Sequence, residues 1–210
     1  IESVDKKLLR IEKVAKSGDA KAKKAIESLN KFKEALKEGK NARVVDADED
    51  DMEAIADIHL LTIKPVLYVA NVDEDSIKEG NEYVEKLKAE VSQENAEVIV
   101  LCAALEEQIA EFEDPEEKEM FLGEYGLEES GLNRLIAAGY KLLNLITYFT
   151  AGVQEVRAWT ITKGWKAPAA AGVIHTDFEK GFIKAEVIKL KDFETYKTEA
   201  ICREKIGRAH

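Results

Sequence analysis

Apolar residues recur at helical spacing in the first part of the chain and at strand spacing towards its end. Ile1, Val4, Leu8, Ile11 and Ala15 follow a heptad-like rhythm, and so do Ala22, Ala25, Leu29, Phe32 and Leu36. That spacing predicts two helices over residues 1–38, joined at Ser17-Gly18-Asp19. Gly18 suits a left-handed position after the first helix, and Asp19 can cap the second. Gly39 ends the second helix. Lys and Glu fill most other positions, so the expected product is a solvated, antiparallel coiled-coil arm. Such an arm reads equally as a plain surface hairpin or as a limb that docks onto something large.

Asp46 to Asp51 is an acidic stretch, read as a loop or a helix start. Pro65–Ala70 then runs apolar on successive positions, as a strand covered on both faces would. Gly80–Gln93 fits a helix with Tyr83, Val84, Leu87 and Val91 on one face, and Glu97–Leu101 fits a second buried strand. Strand, helix, strand implies a right-handed crossover in a parallel sheet. Asp114-Pro115-Glu116-Glu117 reads as a helix start, with Asp capping and Pro at the first position. Leu132, Leu135, Ile136, Leu142, Leu143 and Ile146 predict a further helix that packs on the sheet.

From Thr147 the period changes. Val156–Ile161 and Phe182–Ile188 alternate as strands do, with a short helix between them over Pro168–Ile174. The expected fold class is α/β with a helical hairpin and a small β-grasp module. The expected organisation is an arm over 1–55, an α/β part over 56–146 and the β-grasp module over 147–210.

Charge narrows the partners. The chain has 210 residues, 31 Lys and Arg, 42 Asp and Glu, and a net charge of −11, which argues against a general nucleic-acid binder and against DNA. From Arg157 onward, however, 11 basic residues face 7 acidic ones, a local surplus that permits a contact with RNA. No apolar run reaches the roughly 18 residues of a membrane span, and no signal peptide is read at the start. Cys102 and Cys202 stand far apart without a CxxC spacing, which favours a reduced, cytoplasmic setting. His59, His175 and His210 are scattered and form no zinc pattern.

The informative motif is Asn71-Val72-Asp73-Glu74, directly after the first buried strand. P-loop GTPases carry Asn-Lys-x-Asp at that point and use it to read the base. With Tyr148-Phe149-Thr150-Ala151-Gly152 and the run His175 to Phe182, the chain resembles the Obg-like ATPases, the YchF family, from Ile1 to about Ala200. The resemblance covers only the distal part of such a protein.

It implies that Asn71 and neighbouring backbone hold adenine, with Val72 against the ring. Glu74 is one methylene longer than the GTPase Asp, and adenine lacks the donors that Asp accepts from in guanine. Cys102-Ala103-Ala104 resembles the Ser-Ala-Lys loop that supports the base through backbone groups, with the hydroxyl and the lysine replaced. It further implies a parent that binds ATP with Mg2+, associates with the ribosome, and closes in a TGS domain. The sequence contains no Gly-x-x-x-x-Gly-Lys-Ser/Thr loop and no Asp-x-x-Gly motif, so the base subsite is expected here and the catalytic one is not. Cys102 is read as a small residue at a strand end rather than a redox centre.

Arg157, Lys163, Lys166, Lys180 and Lys184, with Trp159 and Trp165 nearby, form a candidate RNA-contacting face. His175-Thr176-Asp177 is expected to close the short helix by turn hydrogen bonds. After about Ala200 the sequence departs from the family's pattern. The competing readings are a non-enzymatic ribosome-binding module and a GTP-binding parent, which Glu74 disfavours.

Overall fold

The computed structural model describes residues 1–16, 19–94 and 96–206. The turn expected at Ser17-Gly18 falls outside the described residues, as do Asn95 and Gly207 to His210. The chain gathers into two units, Ile1–Leu142 and Leu143–His210.

In the first unit, α1 (Glu2–Ala15) and α2 (Ala20–Lys37) form the helical hairpin. Asp19 caps α2, its carboxylate accepting from the N–H groups of Lys21 and Ala22. Gly39, at φ +76°, ends the helix in a left-handed conformation that costs other residues a Cβ clash. Val4, Leu8, Leu29 and Phe32, all at the expected inward positions, are buried with Ala42, Ile55 and Leu60.

The acidic stretch resolves into a helix. Asp48 and Asp51 form a reciprocal capping box at the start of α3 (Glu49–Ile55), which lies along α2. Its acids meet the lysines of α2: Lys24 pairs with Asp50, Lys31 with Asp51 at 2.8 Å, and Lys21 with Glu53 at 3.3 Å. The hairpin is therefore flanked by a third helix of opposite charge.

Strand β1 (Leu67–Asn71) pairs in parallel with β2 (Glu97–Leu101), Leu67 opposite Glu97 and Asn71 opposite Leu101. Between them α4 (Glu82–Glu90) starts at Asn81, whose side chain accepts from the N–H groups of Tyr83 and Val84. Val84 and Val91 are buried. Tyr83, expected on the same face, is 71% exposed and lies under the Lys86 ammonium, because it is one residue and so roughly 100° round from Val84. The expectation of a strand covered on both faces also fails: Val69 is 44% exposed, and α7 is the helix packed against these strands.

Three helices follow: α5 (Ala103–Glu111), α6 (Pro115–Glu124) and α7 (Gly131–Leu142). Asp114 caps α6 as expected, accepting from Glu116 N–H. Ile77, Cys102, Leu105, Ile109 and Leu122 make the second core. In α7 the buried residues are Gly131 and Ala138, whereas Leu132 and Ile136 are exposed. Leu143 and Ile146 do not extend it, because Asn144 turns left-handed (φ 54°) and a strand begins at Leu145.

The second unit opens with the antiparallel hairpin β3 (Leu145–Ala151) and β4 (Val156–Thr162), Tyr148 opposite Trp159. Tyr148 donates its hydroxyl to the Ala170 carbonyl and so ties the hairpin to α8 (Ala167–Gly172). The remaining helices are α9 (Thr176–Lys180), α10 (Leu190–Tyr196) and α11 (Glu199–Ile206), which buries Cys202. The expected strand over Phe182–Ile188 is not formed. Only Val187 makes an isolated bridge, and Ile183 is 91% exposed. Among the described residues the segment joins neither two-stranded sheet, and alternation alone does not make a strand without a ladder to pair with. Among the described residues no helix is long and apolar enough to cross a membrane.

Candidate nucleotide-base site

The two parallel strands deliver their last residues side by side, and a set of short bonds locks the loops that follow. Val72 N–H donates to the Leu101 carbonyl at 2.8 Å, extending the ladder past the end of β1. Asn71 Oδ1 accepts from Ala103 N–H at 2.9 Å, which joins the first loop to the first turn of α5. Ala103 and Ala104 are thus helical residues, and their preceding residue Cys102 is buried in the core as a free thiol. With one lone pair of Oδ1 so used, Asn71 still has its Nδ2 donors to offer a ligand.

Val72 packs against the core of Ile77, Cys102 and Leu105. Asp73 accepts from Ser76 N–H at 2.9 Å and starts a short 3₁₀ turn that carries Glu74. Glu74 Oε1 accepts from Gln108 Nε2 at 3.3 Å, on the second turn of α5. Burial, and next the Glu74 carboxylate, push the neighbouring Tyr125 hydroxyl above its ordinary pKa. Beneath the loop, Glu106 spans the start of α7, accepting from Gly131 N–H at 2.6 Å and Leu132 N–H at 3.1 Å. A carboxylate at that end also complements the helix dipole.

The structure therefore brings Asn71, Val72, Glu74, Cys102, Ala103 and Ala104 into one corner. Gln108, Tyr125 and Glu106 belong to the same corner and were not singled out from sequence. Their partners stand 25 residues or more away for Glu106 and 34 for Gln108, and no local spacing signals them.

In the second unit, Arg157 places its guanidinium 4.3 Å from the Trp159 ring centroid, and Trp159 Nε1 donates to Thr150 Oγ1 at 2.9 Å. Lys163 and Lys166 are exposed after β4, Lys180 at the end of α9 and Lys184 in the extended segment, so only Arg157 is seen stacked on an aromatic ring. His175 Nδ1 accepts from Asp177 N–H at 3.2 Å. The tripeptide His175-Thr176-Asp177 therefore opens α9 rather than closing α8. Among the described residues no group of three His, Cys, Asp or Glu is placed to hold a metal ion.

Residues 145–209 match a family model named for the YchF GTPase carboxyl terminus and described as "Protein of unknown function (DUF933)". The ribosome-binding ATPase YchF of Bacillus subtilis is 53% identical over 91% of this chain. That of Haemophilus ducreyi is 52% identical over 95%, and that of Escherichia coli O157:H7 is 48% identical over 97%. The chain belongs to the YchF family. Its fold agrees with a solved YchF structure, the Schizosaccharomyces pombe YchF GTPase, at a TM-score of 0.80 and 34% identity, over 99% of this chain and 57% of that one. The chain spans about half the length of the YchF relatives it matches, 53% to 56% of those three, and corresponds to their carboxyl-terminal portion.

Proposed function

We propose that this chain is the part of a ribosome-associated, ATP-binding YchF protein that reads the adenine base. The observation that carries the reading is the Asn71–Ala103 bond, which ties the two loops expected to hold a base into one frame. Asn71 Nδ2 would donate to the purine's major-groove edge, and the backbone around Ala103 and Ala104 would support the ring. Val72, partly buried against the core, would pack on the ring with the part of its side chain left exposed. Glu74 would deny guanine the short acid that its ring N–H and amine require. A site built for one hydrogen-bond set rejects another because groups are left unpaired, at about 1–3 kcal/mol each when buried.

Bound ATP with Mg2+ would supply the phosphoryl chemistry. This sequence contributes no phosphate loop and no magnesium ligand, so its residues bind and orient the base only. The relatives' name, ribosome-binding ATPase, supports a ribosomal partner and a cytoplasmic setting. Within that reading, a TGS-like role falls to Leu143–His210, and the Arg157–Trp159 stack with Lys163, Lys166, Lys180 and Lys184 is the RNA-facing surface.

Two measurements on the natural protein test this. Glu74→Asp should reduce the preference for ATP over GTP; unaltered affinities for both would sink the account of base choice. Reversing the charge of Lys180 and Lys184 together should weaken co-sedimentation with ribosomes, and unaffected binding removes them from the surface.

A further inference from the structure

Four hydrogen-bond donors converge on the carboxylate of Glu94, a residue outside the base corner. Arg43 reaches Oε2 through Nε and Nη2, each at 2.9 Å. Tyr68 donates its hydroxyl to the same oxygen at 2.9 Å, and Asn41 Nδ2 donates to Oε1 at 2.7 Å. The Arg43 and Glu94 side chains are only 14% and 15% exposed.

These groups come from three places in the chain. Asn41 and Arg43 stand in the limb that leaves α2, Tyr68 stands in β1, and Glu94 stands in the turn after α4. The limb is further tied to the approach to β1. Ala42 N–H donates to Thr62 Oγ1 at 3.1 Å, and Arg43 Nη1 donates to the Thr62 carbonyl at 3.1 Å. Arm and strand both lie in the unit Ile1–Leu142.

A guanidinium that presents two N–H groups to one carboxylate fixes direction as well as distance. Parting such a pair away from water leaves an uncompensated charge on each side, so the joint resists giving way. A displacement of the arm's return limb therefore passes to Tyr68, and Tyr68 lies three residues before Asn71 on the same short strand.

We infer that Glu94 is a positioning residue for the base site: it binds the arm's return limb and strand β1 into one body, and so sets where Asn71 stands. The inference rests on the adenine reading of Asn71. It gives the arm a route to the nucleotide whichever surface the arm docks on.

The test uses the natural protein with spin labels at Lys13→Cys in α1 and Glu107→Cys in α5, both exposed positions. In the parent background the distance between labels should be narrowly distributed. Glu94→Gln and Tyr68→Phe should each broaden it and raise the Kd for ATP by roughly 3- to 10-fold, the scale of a coupling loss carried through contacts. Tyr68→Phe removes one hydrogen bond and leaves the Arg43–Glu94 pair, so it stays informative if Glu94→Gln folds poorly. A distribution as narrow in both variants as in the parent overturns the joint. Broadening with unchanged ATP affinity overturns the positioning role. If the parent itself binds no ATP, the adenine reading fails instead, and the distances still judge the joint.

Discussion

Asn71 Oδ1 accepts a 2.9 Å hydrogen bond from Ala103 N–H, 32 residues further along the chain. The same side chain is thus both a fastener between two loops and the candidate contact to the base, and the two roles use different atoms. Asn71→Asp keeps the acceptor and loses the Nδ2 donors. It should leave thermal stability nearly unchanged while weakening ATP binding about 10-fold, the value of roughly 1.4 kcal/mol. Asn71→Ala loses both and should also cost about 0.5–1.5 kcal/mol of stability. Titration and melting of the two variants separate the roles, and undiminished ATP binding by Asn71→Asp removes the base contact.

The arm should be acid-sensitive. Hydrogen bonds from Lys31 and then Ser28 hold the Asp51 carboxyl at about 2, below its ordinary 3.8. The folded value lies below the unfolded one, so this stabilisation is fully present above about pH 4 and is lost as pH falls towards 2. Glu94 acts in the same direction: burial pushes it up, but hydrogen bonds from Tyr68, Arg43 and Asn41 more than reverse that and leave it below the usual 4.5. Melting temperature followed by circular dichroism should drop between pH 4 and 2, and the drop should be shallower in Asp51→Asn. Equal slopes would show that Asp51 does not contribute.

Gly131 has no room for a side chain. A Cβ there would sit 2.8 Å from both Glu106 Oε1 and the Leu101 Cβ, and the second of these cannot swing away. Gly131→Ala should destabilise by about 1–3 kcal/mol, read as a lower urea midpoint at constant slope. Gly139, in the same helix with nothing within 4 Å, is the control. Gly139→Ala should be neutral or stabilising by up to about 1 kcal/mol.

The proposed RNA-facing surface is centred on the Arg157 guanidinium stacked over Trp159. Arg157→Gln should weaken ribosome co-sedimentation and reduce the salt dependence of binding by about one unit of slope. An unchanged slope removes Arg157 from the proposed RNA-facing surface.

Much of the first unit was legible because its signals are local. The heptad positions Val4, Leu8, Leu29 and Phe32 are buried, Asp19 and Asp114 cap the helices they precede, and β1 and β2 pair in parallel around a connecting helix. Each of these depends on residues within a few positions of one another, or on a connection too long for a hairpin. The tetrapeptide Asn71–Glu74, proposed to face the base, stood out for the same reason, as four adjacent residues at a strand end.

What the sequence by itself determined is therefore the period and the punctuation of the chain: where helices start, where strands run, and which residue types stand at their ends. What only the tertiary structure decided is partnership. Phe182–Ile188 alternates like a strand, yet among the described residues it joins neither two-stranded sheet and only Val187 makes a bridge. The acidic run Asp46–Asp51 becomes a capped helix start whose charges are met by the lysines of α2. Gln108 beside Glu74, Glu106 beneath Gly131 and Glu94 under Arg43 and Tyr68 are set by distance in space, 25 to 51 residues apart along the chain. A hydrogen bond of that span has no period to read, and it exists only once packing has brought its two ends together.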